Sequence, residues 1–187
     1  MNALTCKQVW SKMTELSAHD SVYNFTAYID MKNYLVETAL FPKATLEAYS
    51  AWNLEKEITD TQQQHFNALR GGGQGDYRQG MQAKIENVVS CLTLFPSSKR
   101  AIISICNNPT ANHQSDDDAK CMREIHFHLE NNELHASVFF RAQAALIFPK
   151  NIHFIGSLLT EIAAQLPGKP ALGNLFYLTS VLVADRK

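Results

Sequence analysis

Apolar residues recur at helical spacing in several stretches of the chain. Between residues 5 and 17, Val9, Met13 and Leu16 share one face behind Thr5, which suits an N-cap. Met81, Ile85, Val88, Val89 and Leu92 form a second face that Pro96 closes, so a helix is predicted over 81–94. Ile152, Ile155, Leu158, Leu159, Ile162 and Leu166 form a third stripe, with Asn151 as its expected cap and Pro167-Gly168 as its stop. Residues 44–69 hold Leu46, Tyr49, Leu54, Ile58 and Phe66 at partly helical spacing and predict one or two helices.

Other stretches read as strands. SVYNFTAYID and NYLVETALF are rich in aromatic and β-branched residues, and the DMKN link between them predicts a hairpin. Arg100–Asn107 is a strand by β-branched content, and LFYLTSVLV near the end is a buried-strand run. Residues 121–130 and 134–141 make the clearest hairpin, because Asn131-Asn132 accept the positive φ that a two-residue type I′ turn requires. Ile125, Phe127, Leu129, Leu134, Ala136 and Val138 fall on one of its faces, and Glu124, His126, His128, His135 and Ser137 on the other. Four or five strands with three or more helices, without strict βαβ alternation, predict an α+β domain spanning 1–187.

Composition narrows the functional classes. Seventeen basic and eighteen acidic residues among 187 leave a formal charge of −1, which argues against nucleic acid or an anionic membrane as partner. A hydrophobic fraction of 45% excludes global disorder, and a charged fraction of 19% hints at a buried or oligomeric surface. No apolar run suits a transmembrane helix, and the first twenty residues do not read as a signal peptide, so a reducing cytoplasm is expected. Cys6, Cys91, Cys106 and Cys121 form no zinc-like spacing. GGGQGDYRQG at 71–80 lacks a preceding strand and a following Lys-Ser/Thr pair, so it reads as a connection rather than a phosphate loop. Asp116, Asp117 and Asp118 read as a solvated run, since the EF-hand spacing is absent. His126, His128 and His135 invite a metal reading, but no further ligand has suitable spacing, and a polar sheet face or subunit interface is expected instead.

Three short segments carry chemistry when read together. Pro96-Ser-Ser-Lys99-Arg100 sets a basic pair at the mouth of a strand. Cys121 opens a strand after a long polar loop. Arg141 ends the hairpin 20 residues later, and Phe148-Pro149-Lys150-Asn151 begins a helix. In this order and spacing the chain resembles the thymidylate synthase and pyrimidine hydroxymethylase superfamily, over about residues 77–180. The resemblance implies a mixed, mostly antiparallel sheet with helices packed on one face. It implies Cys121 as the nucleophile toward pyrimidine C6, because a thiolate near arginine is both populated and reactive. It implies Arg141 on the 5′-phosphate of a dUMP-, dCMP- or CMP-type nucleotide, with Lys99 and Arg100 reaching that phosphate from the other subunit of a homodimer. Asn151 would read the pyrimidine edge, since an amide offers a donor and an acceptor. An active member would use 5,10-methylenetetrahydrofolate as one-carbon donor.

The chain also departs from the family pattern. Lys120 and Met122 replace the proline and histidine that flank the cysteine, and Ala142 and Ala144 replace a serine and an aspartate. Thr179–Ala184 lacks the expected histidine and tyrosine, and a C-terminal lid over the folate is not expected after that strand. Glu47 is the nearest candidate for a general acid, in the poorly matching context LEAYSAW. Two functions remain open: a pyrimidine-nucleotide C5 transferase, or a catalytically degenerate nucleotide-binding or scaffold dimer. The dimer is expected through the sheet face that carries His126, His128, His135 and Phe139, with Val181 and Val183 nearby. An ideal hairpin sets Cys121 opposite Ala142, so a bulge is needed to bring it beside Arg141.

Overall fold

In the computed structural model, which describes residues 2–65, 77–105 and 120–185, the Asn131-Asn132 turn organises the sheet. Both asparagines have positive φ, 51° and 60°, as the type I′ geometry demands. They join β4 (Met122–Glu130) to β5 (Glu133–Phe140) in antiparallel register, with His128 opposite His135 and Phe127 opposite Ala136. The final apolar run becomes β7 (Ala171–Val183), parallel to β5 and antiparallel to β2 (Val22–Asp30). Short strands complete the sheet: β1 (Leu4–Thr5) beside β2, β3 (Ile102–Ser104) beside β4, and β6 (Gln143–Ala144) beside β7. The order is β1-β2-β7-β5-β4-β3, an open mixed sheet whose paired residues are mostly antiparallel.

The helices are α1 (Cys6–Leu16), α2 (Lys43–Asn53), α3 (Asp60–Gln63), α4 (Met81–Leu94) and α5 (Phe148–Gln165). Thr5 caps α1 through a capping box with Gln8, which satisfies two otherwise unpaired N–H groups. Buried side chains of α1, α4 and α5 join Ile29, Ile125, Phe127, Val138, Leu175 and Tyr177 of the strands in one core. That face of the sheet is covered; the opposite face leaves Phe139 and Phe176 exposed. The fold is therefore α+β with a mostly antiparallel sheet. No helix among the described residues is long and apolar enough to cross a membrane.

Three expectations need correction. Residues 33–41 form no strand, because β1 and β7 already occupy the two edges of β2. Instead this stretch runs as an irregular strap whose Val36 and Phe41 enter the core. Asn151 does not cap its helix: α5 begins three residues earlier, with Pro149 in the first turn, where its missing N–H costs nothing. Lastly, the strand expected over 100–107 is paired only at Ile102–Ser104, and residues 106 and 107 lie outside the described part, as do 66–76 and Asp116, Asp117 and Asp118.

Helix α5 is the hub, with 13 of its 18 residues buried between the sheet and α2. A polar clip joins the two helices: the Ser50 hydroxyl and His153 Nδ1 lie 2.7 Å apart, both groups buried. Burial pushes His153 down to about 4, with the Lys43 cation adding to the effect, so the imidazole is neutral at pH 7. Tyr34 lies flat on Gly156, where a Cβ would overlap its ring, and meets His153 edge-on at 5.3 Å. We expect Gly156→Ala to destabilise the chain by about 1–3 kcal/mol in urea unfolding, the usual cost of overpacking. Adding Tyr34→Ala should recover part of that loss; strictly additive losses would contradict the overlap. The unfolded His153 binds a proton near 6.5 and the folded one only near 4, so its contribution holds above 6.5 and is lost as pH falls toward 4. We therefore expect His153→Gln to flatten the acid limb of a stability–pH curve between those values; an unchanged limb would contradict this.

Candidate active site

The one-residue irregularity that the hairpin needed is present. The register shifts between Met122 and Glu124: Glu124 lies opposite Phe139 while Met122 lies opposite Phe140. Arg123 is the extra residue, and beyond it Cys121 falls beside Arg141, whose N–H donates to the Cys121 carbonyl at 2.8 Å. The core spacing carries a trace of this. Met122 and Ile125 are both fully buried although three residues apart, where an unbroken strand alternates in twos.

Cys121 and Arg141 are each half-buried. Cys6, Cys91 and Cys121 are free thiols. Cys6 is fully enclosed, and burial, helped by the Asp30 carboxylate, pushes its thiol up to about 12, which removes it as a nucleophile. Cys106 lies outside the described residues.

Behind Cys121 and Arg141 the chain turns through β6 into α5, and a buried polar network fills the turn. Gln143 Oε1 accepts from the Tyr177 hydroxyl at 2.8 Å and from Asn151 Nδ2 at 3.0 Å. Gln143 Nε2 donates to the Ala144 carbonyl at 2.7 Å. Asn151 is 2% exposed, and its Oδ1 is a buried acceptor with no hydrogen-bond partner among the described residues. Tyr177 packs between Phe140 and Phe148. Burial raises its hydroxyl well above the ordinary value, and Tyr77 and Cys121 add to that, so both stand near it. Tyr77 in turn stacks on Phe154 of α5 at 5.7 Å and donates its N–H to Asn53 Oδ1 at 2.6 Å. Lys150 is enclosed with its ammonium 4.8 Å from the Tyr49 ring centre.

Sequence reasoning named Cys121, Arg141 and Asn151 and missed Gln143, Tyr177 and Lys150. Gln143 was hidden because the resemblance directs attention to Ala142 and Ala144 on either side of it. Glu47 does not join this group; it pairs with Lys43 at 3.7 Å and lines a cleft of about 290 Å³ between α2 and α5 with Ser50, His153 and Glu161.

The basic pair stands apart. Lys99 and Arg100 are exposed on the turn between α4 and β3, where the Arg100 N–H is held by the Ser98 hydroxyl at 3.0 Å. Leu94 and Phe95 beside them are 68% and 65% exposed, high values for large apolar side chains. Ile102 lies opposite His126, so Arg100 lies level with His128, seven residues along β4 from Cys121. At about 3.3 Å per residue this is roughly 23 Å, beyond the reach of one side chain. Within one protomer Arg100 and Arg141 cannot grip the same phosphate.

No protein-family model matches the chain, and no curated protein matches it at a significant score.

We expect Gln143→Leu to cost about 2–5 kcal/mol in urea unfolding, because it strands two buried donors at once. Tyr177→Phe, which removes one partner only, should cost about 1 kcal/mol. A Gln143→Leu protein as stable as the parent would contradict the network.

Proposed function

We propose that the chain is a thymidylate-synthase-like protein that binds a pyrimidine nucleotide, with Cys121 set to add to C6 of the base and Arg141 to hold the 5′-phosphate. The observation that carries this reading is the bulge at Arg123, which brings a half-buried thiol and a guanidinium to adjacent positions across two strands. Sulfur–C6 bond formation moves the C5–C6 pair onto C5 and the C4 carbonyl. C5 then takes a proton from water, and loss of the hydrogen originally on C5 to water, with expulsion of the thiolate, restores the C5–C6 double bond. The enclosed Oδ1 of Asn151 supports a base-reading role, since it lacks the donor that a pyrimidine N3–H supplies. Ala144 is buried where the family carries an aspartate, so the residues fit a nucleotide better than a folate, and no step is routed through methylenetetrahydrofolate.

The proposal includes a homodimer through the uncovered sheet face. Arg100 is exposed in the turn that leads into β3, two residues before Ile102, which faces the same side as His126, and from there a second copy on that face would come within its reach. The partner subunit's Arg100 and Lys99 would then complete the phosphate site at Arg141. Phe139 lies opposite Leu178, so Leu178 and Phe176 share its side, and past Thr179 the alternation breaks: Leu182 enters the core, so Val181, opposite the exposed Tyr23, and Val183 turn to the uncovered face.

A second reading, a nucleotide-binding or scaffold dimer without turnover, is favoured by one observation. Asn151 spends its amide on Gln143 and is enclosed, so the base-reading group is tied to the protein interior.

Tritium release from C5-labelled dUMP, dCMP and CMP, with and without methylenetetrahydrofolate, separates the two. Release that Cys121→Ser abolishes supports the nucleophile; silence with all three leaves the binding reading. Calorimetry reads binding itself, and we expect Arg141→Ala to weaken it at least tenfold, since each charge-assisted bond to phosphate is worth about 1.5–3 kcal/mol. Unchanged affinity would remove Arg141 from the site.

A further inference from the structure

The uncovered face of the sheet carries a row of three imidazoles. His128 lies directly opposite His135 with ring centres 5.2 Å apart and planes 17° from parallel, and His126 follows at 6.2 Å and 18°. Each is only partly open or buried: His135 is 7% exposed, and His126 Nε2 is enclosed without a hydrogen-bond partner among the described residues. Among those residues no group of three or more His, Cys, Asp or Glu side chains is arranged to hold a metal ion.

The fold uses one of these rings in its neutral form. The β5–β7 register shifts between Leu134 and Ala136, which frees the Asn174 N–H from the ladder. That N–H donates to His135 Nδ1 at 3.0 Å. Gly173 makes room for the ring, since a Cβ there would come within 2.6 Å of it. A proton on Nδ1 breaks this bond and leaves a backbone donor unpaired at the bulge.

We propose that this row makes the chain's self-association pH-dependent, the dimer forming when the three imidazoles are neutral and separating as they take up protons. The inference rests on the face-to-face dimer proposed above. A second copy on this face removes water from the row and brings a second identical row beside it. Both effects raise the cost of each positive charge in the dimer above its cost in the monomer. Protons therefore bind the monomer more readily, and by linkage acid favours the monomer.

The surrounding charges do not cancel the effect. On the same side lie Glu124 and Glu130 of β4, Glu133 of β5, and Asp30 and Tyr28 of β2. Glu133 is shared, 3.4 Å from Lys32 and 3.7 Å from His135. Arg100 is a fixed cation in the turn that leads into β3; β7 adds Asn174, Phe176, Leu178, Val181 and Val183, none of them charged, and β3 adds Ile102 and Ser104. At His128, burial and then the charges of His135 and His126 lower proton affinity, and Glu130 opposes them as the smallest contribution. The size of the face suits a stable contact. Strands β2, β7, β5 and β4, spaced about 4.8 Å apart and about eight residues long, present on the order of 500 Å² in projection, comparable with the ~800 Å² of accessible surface per partner in a standard interface.

The test is sedimentation velocity at micromolar protein from pH 8 to pH 5.5 in EDTA, with circular dichroism at each pH to show that the fold persists. The expected result is a dimer at pH 8 whose dissociation constant rises at least tenfold by pH 5.5. His126→Gln/His128→Gln, which keeps His135 and its bond to Asn174, should lose most of that rise. A wild-type dimer of equal strength at every pH overturns the switch and leaves the dimer standing. A monomer at every pH overturns both. An undiminished pH response in the double variant overturns the histidine assignment. Ring-proton NMR of the wild type reads the same coupling without substitution: dilution from dimer to monomer should raise the titration midpoints of the row, and unmoved midpoints overturn the proposal.

Discussion

The arrangement around Cys121 depends on one extra residue in β4. Without the bulge at Arg123, period-two pairing along the hairpin sets Cys121 against Ala142, with Arg141 facing the other side of the sheet. With it, the core keeps Met122 and Phe140 buried, and Cys121 and Arg141 face each other across the end of the strand pair through the Arg141 N–H on the Cys121 carbonyl. The bulge therefore sets the register of the site while leaving the core intact.

Helix α5 makes the other side of the arrangement rigid. It leaves the sheet through β6 and a single 3-10 turn, and Gln143 in that link ties Tyr177 of β7 to Asn151 of α5. The network joins strand, link and helix through one acceptor oxygen, so a half-satisfied state is costly and the geometry has little freedom. The same helix is clamped from its far side by Tyr34 on Gly156 and by the Ser50–His153 pair. Position 156 must lack a Cβ for the strap at residues 31–42 to close over the helix.

Legibility in the sequence followed the reach of each interaction. Helix α4 over 81–94 and the Asn131-Asn132 turn were readable because their signals are local: a face at helical spacing, and two residues that tolerate positive φ. The stretch 33–41 was misread because aromatic and β-branched content speaks to burial, while strand formation also needs a free edge, and β7 and β1 had taken both. The start of α5 was missed by four residues because Phe148 and Pro149 resemble a lead-in as much as a first turn. Of the candidate site, Cys121, Arg141 and Asn151 were named through the family resemblance. Gln143 and Tyr177 were not, because their roles rest on a contact between positions 34 residues apart that only the folded sheet creates. The separation of Arg100 from Cys121 likewise depends on the β3–β4 register, which no single strand's pattern reports.

Crystals soaked separately with dUMP, dCMP and CMP decide whether the proposed pyrimidine-nucleotide site exists at Cys121 and Arg141. If it does, at least one nucleotide gives density with its base against the Cys121 sulfur and its phosphate on Arg141 and the partner subunit's Arg100. Nucleotide bound elsewhere, or none bound at millimolar concentration with Cys121 and Arg141 open to solvent, would contradict it.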